Sequence, residues 1–455
     1  MSLECFEAES HWFNEEKRLN ASSYSPVAAK STVLIEKLKA RQVTIESLEN
    51  LTSRIFYPGR FKRVLSADGA ILLSSKDIFD FLLRGKRISN ISEDYSVKPG
   101  WIFVTRSGSV GRVLLANKFV GNKAISEHVI RIIPSVDTPV CYIYAYLLSS
   151  IGRPLITKSI FGGVVDEIEP QHIGSIPIPR IPELEKEIEN SIREVYRLRE
   201  EAQELILRSE ATIYSELGLI KISEADIDYL TDKNTKIVKC FETSANALAT
   251  RLDASFHMPI ANQALRNLKE SMSGKTMKLE EVADSFVPPR FKRNYVENPS
   301  NGVPLLQGTQ IPQITAQDLK FIWRGMKKLD RYIVKKNWIL VTCSGTIGQI
   351  SMARSLWDGW AATNHLLRVV PDEDKIHPGY LAAFLLSVYG QVQFQRLVYG
   401  GVVDEIGEAG GLFQDIQVLK PLDEAVEKRI GSLILDAYDK RDAANVIESK
   451  AVKYL

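Results

Sequence analysis

Gly162-Gly163-Val164-Val165-Asp166-Glu167-Ile168 is repeated letter for letter as Gly400-Gly401-Val402-Val403-Asp404-Glu405-Ile406, an offset of 400 − 162 = 238. Towards the N-terminus of each copy the matches continue in the same order. His128-Val129-Ile130-Arg131 answers His365-Leu366-Leu367-Arg368, and Thr105-Arg106-Ser107-Gly108-Ser109-Val110-Gly111 answers Thr342-Cys343-Ser344-Gly345-Thr346-Ile347-Gly348, both at 365 − 128 = 237. Arg60-Phe61-Lys62-Arg63 recurs as Arg290-Phe291-Lys292-Arg293, an offset of 290 − 60 = 230. Arg18-Leu19-Asn20-Ala21-Ser22 recurs as Arg251-Leu252-Asp253-Ala254-Ser255, and Cys5-Phe6-Glu7 as Cys240-Phe241-Glu242. Any one match could be coincidence. Six in one order, with offsets drifting only between 230 and 238, make nearly the whole chain a tandem duplication.

A chain of 455 residues is several domains long, so two to four compact units are expected. Apolar residues at 45% and charged residues at 25% are the mixture of a folded globular protein and leave little room for disordered tracts. Cys5, Cys141, Cys240 and Cys343 form no CxxC pair, which supports neither a zinc module nor a disulfide framework and fits a reducing, cytoplasmic setting. Glu4, Glu7 and Glu9 replace the basic start of an export signal, and no apolar run approaches membrane-spanning length, so neither export nor membrane insertion is expected. Net charge is only +2, so any nucleic-acid role rests on where the charges sit. Arg54 to Arg63 holds four bases and no acid, and Arg324 to Lys336 holds six bases against Asp330 alone. Glu183 to Glu210 reverses the balance, with nine acids against five bases.

Each half begins with a mixed globular part and ends in a helix. Ile176-Pro177-Ile178-Pro179-Arg180-Ile181-Pro182 is an extended segment, because proline fixes φ, lacks a donor and biases its predecessor away from helix. From there to Leu217 the residues Leu184, Ile188, Ile192, Val195, Leu198, Ala202, Leu205, Ile213 and Leu217 mostly keep three- and four-residue spacing, and Gly218 ends the run. After Pro421 the stripe returns as Val426, Ile430, Leu433, Ala437, Ala444, Ile447 and Ala451. Helices of roughly 35 residues would be about 50 Å long, and a single-striped helix of that length needs a partner, for which the other copy is the obvious choice. Trp101 to Thr105, Trp338 to Thr342, His128 to Ile133 and His365 to Val370 read as strands. Tyr142 to Ser150 and Tyr380 to Ser387 read as short amphipathic helices. The expected fold class is α+β, a tandem duplication of a β-rich globular domain followed by a long helix. The segments are 1–181, 182–217 for the central helix, 218–250 as connector, 251–420, and 421–455 for the C-terminal helix.

Four motifs are candidates for chemistry. The loops around Arg106, Ser107, Ser109 and Arg112, and around Ser344 and Thr346, set two glycines and hydroxyls just after a strand. Such a loop brings N–H and O–H groups to a phosphate or base edge, or is simply a tight turn. Arg60, Lys62 and Arg63, with Arg290, Lys292 and Arg293, form a basic loop behind Pro58 and Pro288, suited to neutralising phosphates or reading guanine, or else a solvated patch. The adjacent acids of the heptapeptide lack supporting His or Asp ligands, so a turn whose acids cap a helix or bond amides is preferred to a metal site. His128 and His365 sit among apolar strand residues and read as hydrogen-bonded structural histidines. No phosphate loop GxxxxGK[ST], no amino-methyltransferase tetrapeptide and no nucleophile–base set is present, Val287-Pro288-Pro289-Arg290 included. No catalytic residue and no metal ligand is therefore assigned, and binding is the better class.

The order of Arg-Leu-Asp-Ala-Ser, Trp338 to Gly348, His365 to Pro371, a tyrosine-containing helix, Tyr399-Gly400-Gly401 and a proline-flanked long helix resembles the specificity subunits of type I restriction-modification systems. The likeness covers almost the whole chain, twice. It implies two target-recognition domains, each reading half of a split, asymmetric double-stranded DNA site, with the two helices packed as an antiparallel coiled coil. Those helices would dock two methyltransferase subunits, through positions such as Ile188, Ile192, Val195, Val426, Ile430 and Leu433, in a complex with a restriction/translocase subunit. S-adenosylmethionine, ATP and Mg would belong to the partners, and this chain would hold no cofactor. A specificity role in a type IIB-like or other phage-defence complex, an assembly scaffold that binds no DNA, and an enzyme using Asp166 and Asp404 are the alternatives. Two departures stand out: Asn20 faces Asp253, and Gly407 to Gly411 replaces the region of Glu169-Pro170-Gln171.

Overall fold

The computed structural model describes residue 10 and residues 24–121, 123–158, 160, 166–222, 240–249, 251–399, 404–406 and 412–455. Cys5 to Glu7, Arg18 to Ser22, the Gly-Gly-Val-Val part of both heptapeptides and Gly407 to Gly411 lie outside the described residues. The chain forms two compact units, one of Met1–Glu200 with Ala443–Leu455 and one of Glu201–Asp442.

The first unit contains β1 (Thr44–Ser47), β2 (Thr52–Phe56), β3 (Val64–Leu73), β4 (Lys86–Ser89), β5 (Ile102–Thr105), β6 (Val113–Leu115), β7 (Ala124–Ile125), β8 (Val129–Pro134) and β9 (Pro177–Arg180). They pair as a four-stranded antiparallel sheet in the order β2-β8-β5-β6, a three-stranded sheet β4-β3-β7 with a parallel β3–β7 pair, and a β1–β9 pair. The prolines of β9 are tolerated because that strand pairs on one side only. β5 is buried along its whole length because both its faces are covered. Ile102 and Val104 pack with the helix Val140–Leu148, whereas Phe103 packs with Leu73, Ile125 and Val129 between the two sheets.

The second unit repeats this plan with β10 (Gly274–Lys278), β11 (Ala283–Phe286), β12 (Tyr295–Val296), β13 (Gly302–Leu306), β14 (Lys320–Trp323), β15 (Ile339–Thr342), β16 (Ile350–Met352), β17 (Ala361–Ala362), β18 (Leu366–Pro371) and β19 (Gln417–Pro421). The order β11-β18-β15-β16 answers the first four-stranded sheet, and β10–β19 answers β1–β9. The other sheet, β12-β14-β13-β17, gains one strand, β12. The strands expected at 101–105, 128–133, 338–342 and 365–370 are all present within a residue or so.

The repeated arginine of the His-x-x-Arg motif is a clamp inside each unit. Arg131 is fully buried and donates from Nη1 to Val129 O at 2.9 Å and from Nη2 to Ile125 O at 2.5 Å, which ties β8 to β7. Arg368 donates likewise to Thr363 O at 2.7 Å, Ala362 O at 2.6 Å and Leu366 O. Burial pulls both guanidinium pKa values down to about 10, so each stays charged near neutrality, held by carbonyl dipoles.

Helices Val140–Leu148 and Pro378–Leu386 are not amphipathic as expected. Residues 141–147 and every residue of 378–386 are buried, because other elements of the unit cover each helix on all sides. The long helices run Pro182–Leu217 and Glu424–Tyr454. Glu183 and Glu185 in the first turn favour the start of the central helix, and Gly218, at φ +59°, ends it in the left-handed region. In the first unit Arg199 donates to Glu448 at 2.7 Å and to Asn445 at 3.1 Å. In the second unit Lys440 meets Glu201 at 2.7 Å and Arg429 meets Glu216, so the partners run in opposite order and the packing is antiparallel. A carboxylate from a long helix also pins the loop after β6 or β16: Glu200 accepts from Lys118 N at 2.9 Å, and Asp442 from Leu356 N at 2.8 Å.

This packing corrects the assignment of the apolar stripe to subunit docking. Ile188, Ile192 and Val195 lie in the core cluster of the first unit, Val426 and Ile430 are buried, and Leu433 is half-buried. The five buried residues have no surface left for a partner, and Leu433 keeps only part of its own. Among the described residues no helix is long and apolar enough to cross a membrane.

Candidate nucleic-acid interface

Motifs far apart in sequence meet at one place in each unit. In the first, the strand β5 ends at Thr105, whose hydroxyl donates to Ser109 O and accepts from Arg112 N at 2.9 Å, closing the loop between. Gly108 and Gly111 have φ +80° and +79°, a region closed to most side chains. In the second, Thr342 donates to Thr346 O and accepts from Gln349 N at 2.9 Å, with Gly345 and Gly348 both at φ +79°. The tight-turn reading of the loop is therefore correct as far as its glycines go, and it leaves Ser109 and Thr346 exposed at the tip.

The end of the heptapeptide lies beside this loop. Ser107 bridges to Glu167, and Ser344 to Glu405, with Ile168 N donating to Arg106 O at 3.2 Å and Ile406 N to Cys343 O at 2.9 Å. Arg106 N and Cys343 N donate in turn to the carbonyls of His128 and His365, at 2.8 and 3.0 Å. The acids thus belong to a strand-like bridge, and among the described residues no group of three or more His, Cys, Asp or Glu could hold a metal ion.

The basic loop completes the cluster. Pro58 and Pro288 are buried, and the phenylalanine between the basic residues is anchored to a tyrosine, Phe61 on Tyr95 at 4.5 Å between centroids and Phe291 on Tyr332 at 4.0 Å. With the aromatic ring tucked in, Arg60, Lys62, Arg63, Arg290 and Lys292 stand in solvent and Arg293 is half-buried. In the first unit Arg63 reaches Glu127 at 2.8 Å, Glu127 lies 3.7 Å from His128, and His128 Nδ1 is 2.7 Å from the buried Ser107 hydroxyl. In the second unit burial, then the charges of Arg293 and Arg290, hold His365 below its ordinary pKa of 6.5, opposed by Glu405.

Two of the sequence candidates are engaged inside the molecule. Arg106 donates to Glu167 and Glu169, both at 2.9 Å, with its guanidinium 4.3 Å from the Tyr57 ring, so it organises the site rather than facing outward. Ser107 is spent on His128, and Arg112 lies 6.0 Å from the Phe79 ring. Ser344 is half-buried. Sequence reasoning passed over Glu127, Tyr57, Tyr95 and Tyr332, which lie outside the quoted repeats, noted Glu169 only as a departure between the copies, and gave no role to Arg131 and Arg368, whose repetition within an apolar strand was a usable signal of a buried clamp. In the Arg-Leu-Asp-Ala-Ser motif, Arg251 holds Asp253 at 2.6 Å and donates to Leu397 O and Val398 O at 3.1 and 3.2 Å, which satisfies the end of the helix Val388–Arg396.

No protein-family model and no curated protein matches the chain. Among solved structures, it is similar to the S subunit of a type I restriction-modification system from M. genitalium, with 13% identity, 90% of this chain and 95% of that chain covered, and a TM-score of 0.36. It is also similar to an HsdS subunit from Thermoanaerobacter tengcongensis, with 10% identity, 90% and 96% covered, and a TM-score of 0.29.

Proposed function

We propose that this chain is the DNA-specificity subunit of a type I restriction-modification complex and reads a split, asymmetric duplex target, one half with each unit. The observation that carries the reading is the convergence, built twice, of an outward basic loop, a glycine-shaped hydroxyl loop and a histidine on one surface. Lys and Arg on such a loop take phosphates and fix register, while loop tips such as Ser109 and Thr346 are free to reach base edges. Arg60, Lys62, Arg63, Arg290, Lys292 and Arg293 are the phosphate-facing set. The charged and aromatic side chains around the two clusters differ, which favours two different half-sites over a palindrome.

The chain carries out no chemistry in this reading. Methyl transfer from S-adenosylmethionine and any ATP- and Mg-dependent cleavage fall to two methyltransferase subunits and a restriction/translocase subunit. These dock on outward residues of the two long helices, since the apolar stripe is buried, and the helix length sets the unread spacer. Long-read methylation mapping in a host expressing the neighbouring methyltransferase, with and without this chain, tests the proposal. A split motif that depends on this chain is expected; an identical methylome in both strains refutes it.

A further inference from the structure

The smaller sheets of the two units are alike on one face and differ on the other. On the shared face, Leu72, Ile88 and Ala124 in the first unit correspond to Leu305, Ile322 and Ala361 in the second. Leu72 pairs with Lys86 and Ala124, as Leu305 pairs with Lys320 and Ala361, so register equates Arg87 with Phe321 and Ser89 with Trp323. Because side chains alternate along a strand, these residues lie on the face opposite Leu72 and Leu305, the face that carries Leu73 and Leu306. Where the first unit presents Arg87 and Ser89, the second presents Phe321 and Trp323, joined by Val296 and Pro304, which both pair with Phe321.

Trp323 is 50% exposed yet firmly seated. Its amide donates to Asn294 O at 2.9 Å, and a Cβ on Gly325 would stand 2.5 Å from the indole Cζ2, so the ring rests on backbone that only glycine leaves clear. Through Asn294 this tryptophan is continuous with the basic loop ending at Arg293. On its other side Arg324, Lys327, Lys328, Arg331, Lys335 and Lys336 are all exposed, with Asp330 the only acid of the stretch. Among the described residues Lys327, Lys328, Arg331, Lys335 and Lys336 make no ion pair.

We infer that this aromatic face and its basic margins are a second DNA-contact strip, present in the second unit and absent from the first. The inference rests on the DNA-reading function proposed above. Duplex DNA is the occupant that the charge favours, because cations outnumber acids around a small aromatic patch, with Glu297 and Asp330 the acids of its flanking segments. Trp323 packs against sugars or wedges at a base step while the lysines take phosphates.

Fluorescence anisotropy of the full chain with a labelled duplex carrying its mapped target, over a salt series, tests this with four variants. Trp323→Ser, which installs the first unit's residue, is expected to bind about tenfold more weakly with unchanged melting, and Trp323→Phe to keep most of the affinity. Lys327→Gln with Lys328→Gln is expected to flatten the salt dependence. If Trp323→Ser binds as the parent does while Arg290→Gln with Arg293→Gln binds weakly, the strip is refuted and the DNA-reading role stands. If none of the four changes affinity, that role falls as well. If Trp323→Ser spares DNA binding but releases the methyltransferase from the purified complex, the face belongs to a protein partner, which also overturns the inference.

Discussion

In the first unit Arg63 is held by Glu127, and Arg106 by Glu167 and Glu169 beneath the Tyr57 hydroxyl, which itself bonds Glu169 at 3.1 Å. In the second, Asn364 stands where Glu127 stood, Cys343 replaces Arg106 and Val287 replaces Tyr57. Cys343 is buried, and that burial, with Glu405, pushes its thiol up to about 11. Arg290 and Arg293 make no ion pair among the described residues. The backbone scaffold is thus copied while the ion-pair network is not. Backbone bridges, glycine turns and the arginine clamp are what a common ancestor passes on, and the side chains above them are free to set a different contact in each unit.

The largest effect should fall on what the copies share. Arg131→Met and Arg368→Met each leave buried carbonyls without a donor and should cost their own unit about 3–5 kcal/mol, read as a drop in its thermal melting. An effect confined to one copy would show that the clamp is not common to both. Next comes the unpaired cluster. Arg290→Gln with Arg293→Gln should lower the slope of log affinity against log salt by about two, whereas Arg63→Gln should change it by less than one, since Glu127 already offsets that charge.

Exchanging the partner sharpens the contrast further. Glu127→Gln frees Arg63 and should steepen the first unit's salt slope by up to about one, and Asn364→Glu should flatten that of the second by a similar amount. Equal slopes before and after would mean that the pairing is broken in solution. The smallest effect concerns pH. His365 is held below 6.5, so its contribution to stability is complete above that value and is lost as pH falls through the depressed folded pKa. Phosphate beside it would raise that pKa, so binding should take up protons and affinity should rise about threefold as pH drops below 6.5, an effect that His365→Gln removes.

The strand runs ending at Thr105 and Thr342, the basic loops and both helix boundaries were legible because each is a local matter of period, proline and glycine. The ion pairs of Arg63 and Arg106 were not, since Glu127 and Glu169 lie 64 and 63 residues further along and nothing local marks them as partners. The short helices were misread for a related reason: an apolar segment shows that it is buried, but not on how many sides.

By itself, the sequence determined that the chain is one plan used twice, because collinear repeats need no geometry to be recognised. Tertiary structure alone decided that the repeated motifs close on a single surface in each unit. It also decided that the helix stripes face inward and that Trp323 bonds the backbone of Asn294, next to Arg293 at the end of the basic loop. Those outcomes depend on strand register and sheet packing, which join residues through space with no trace in their spacing along the chain.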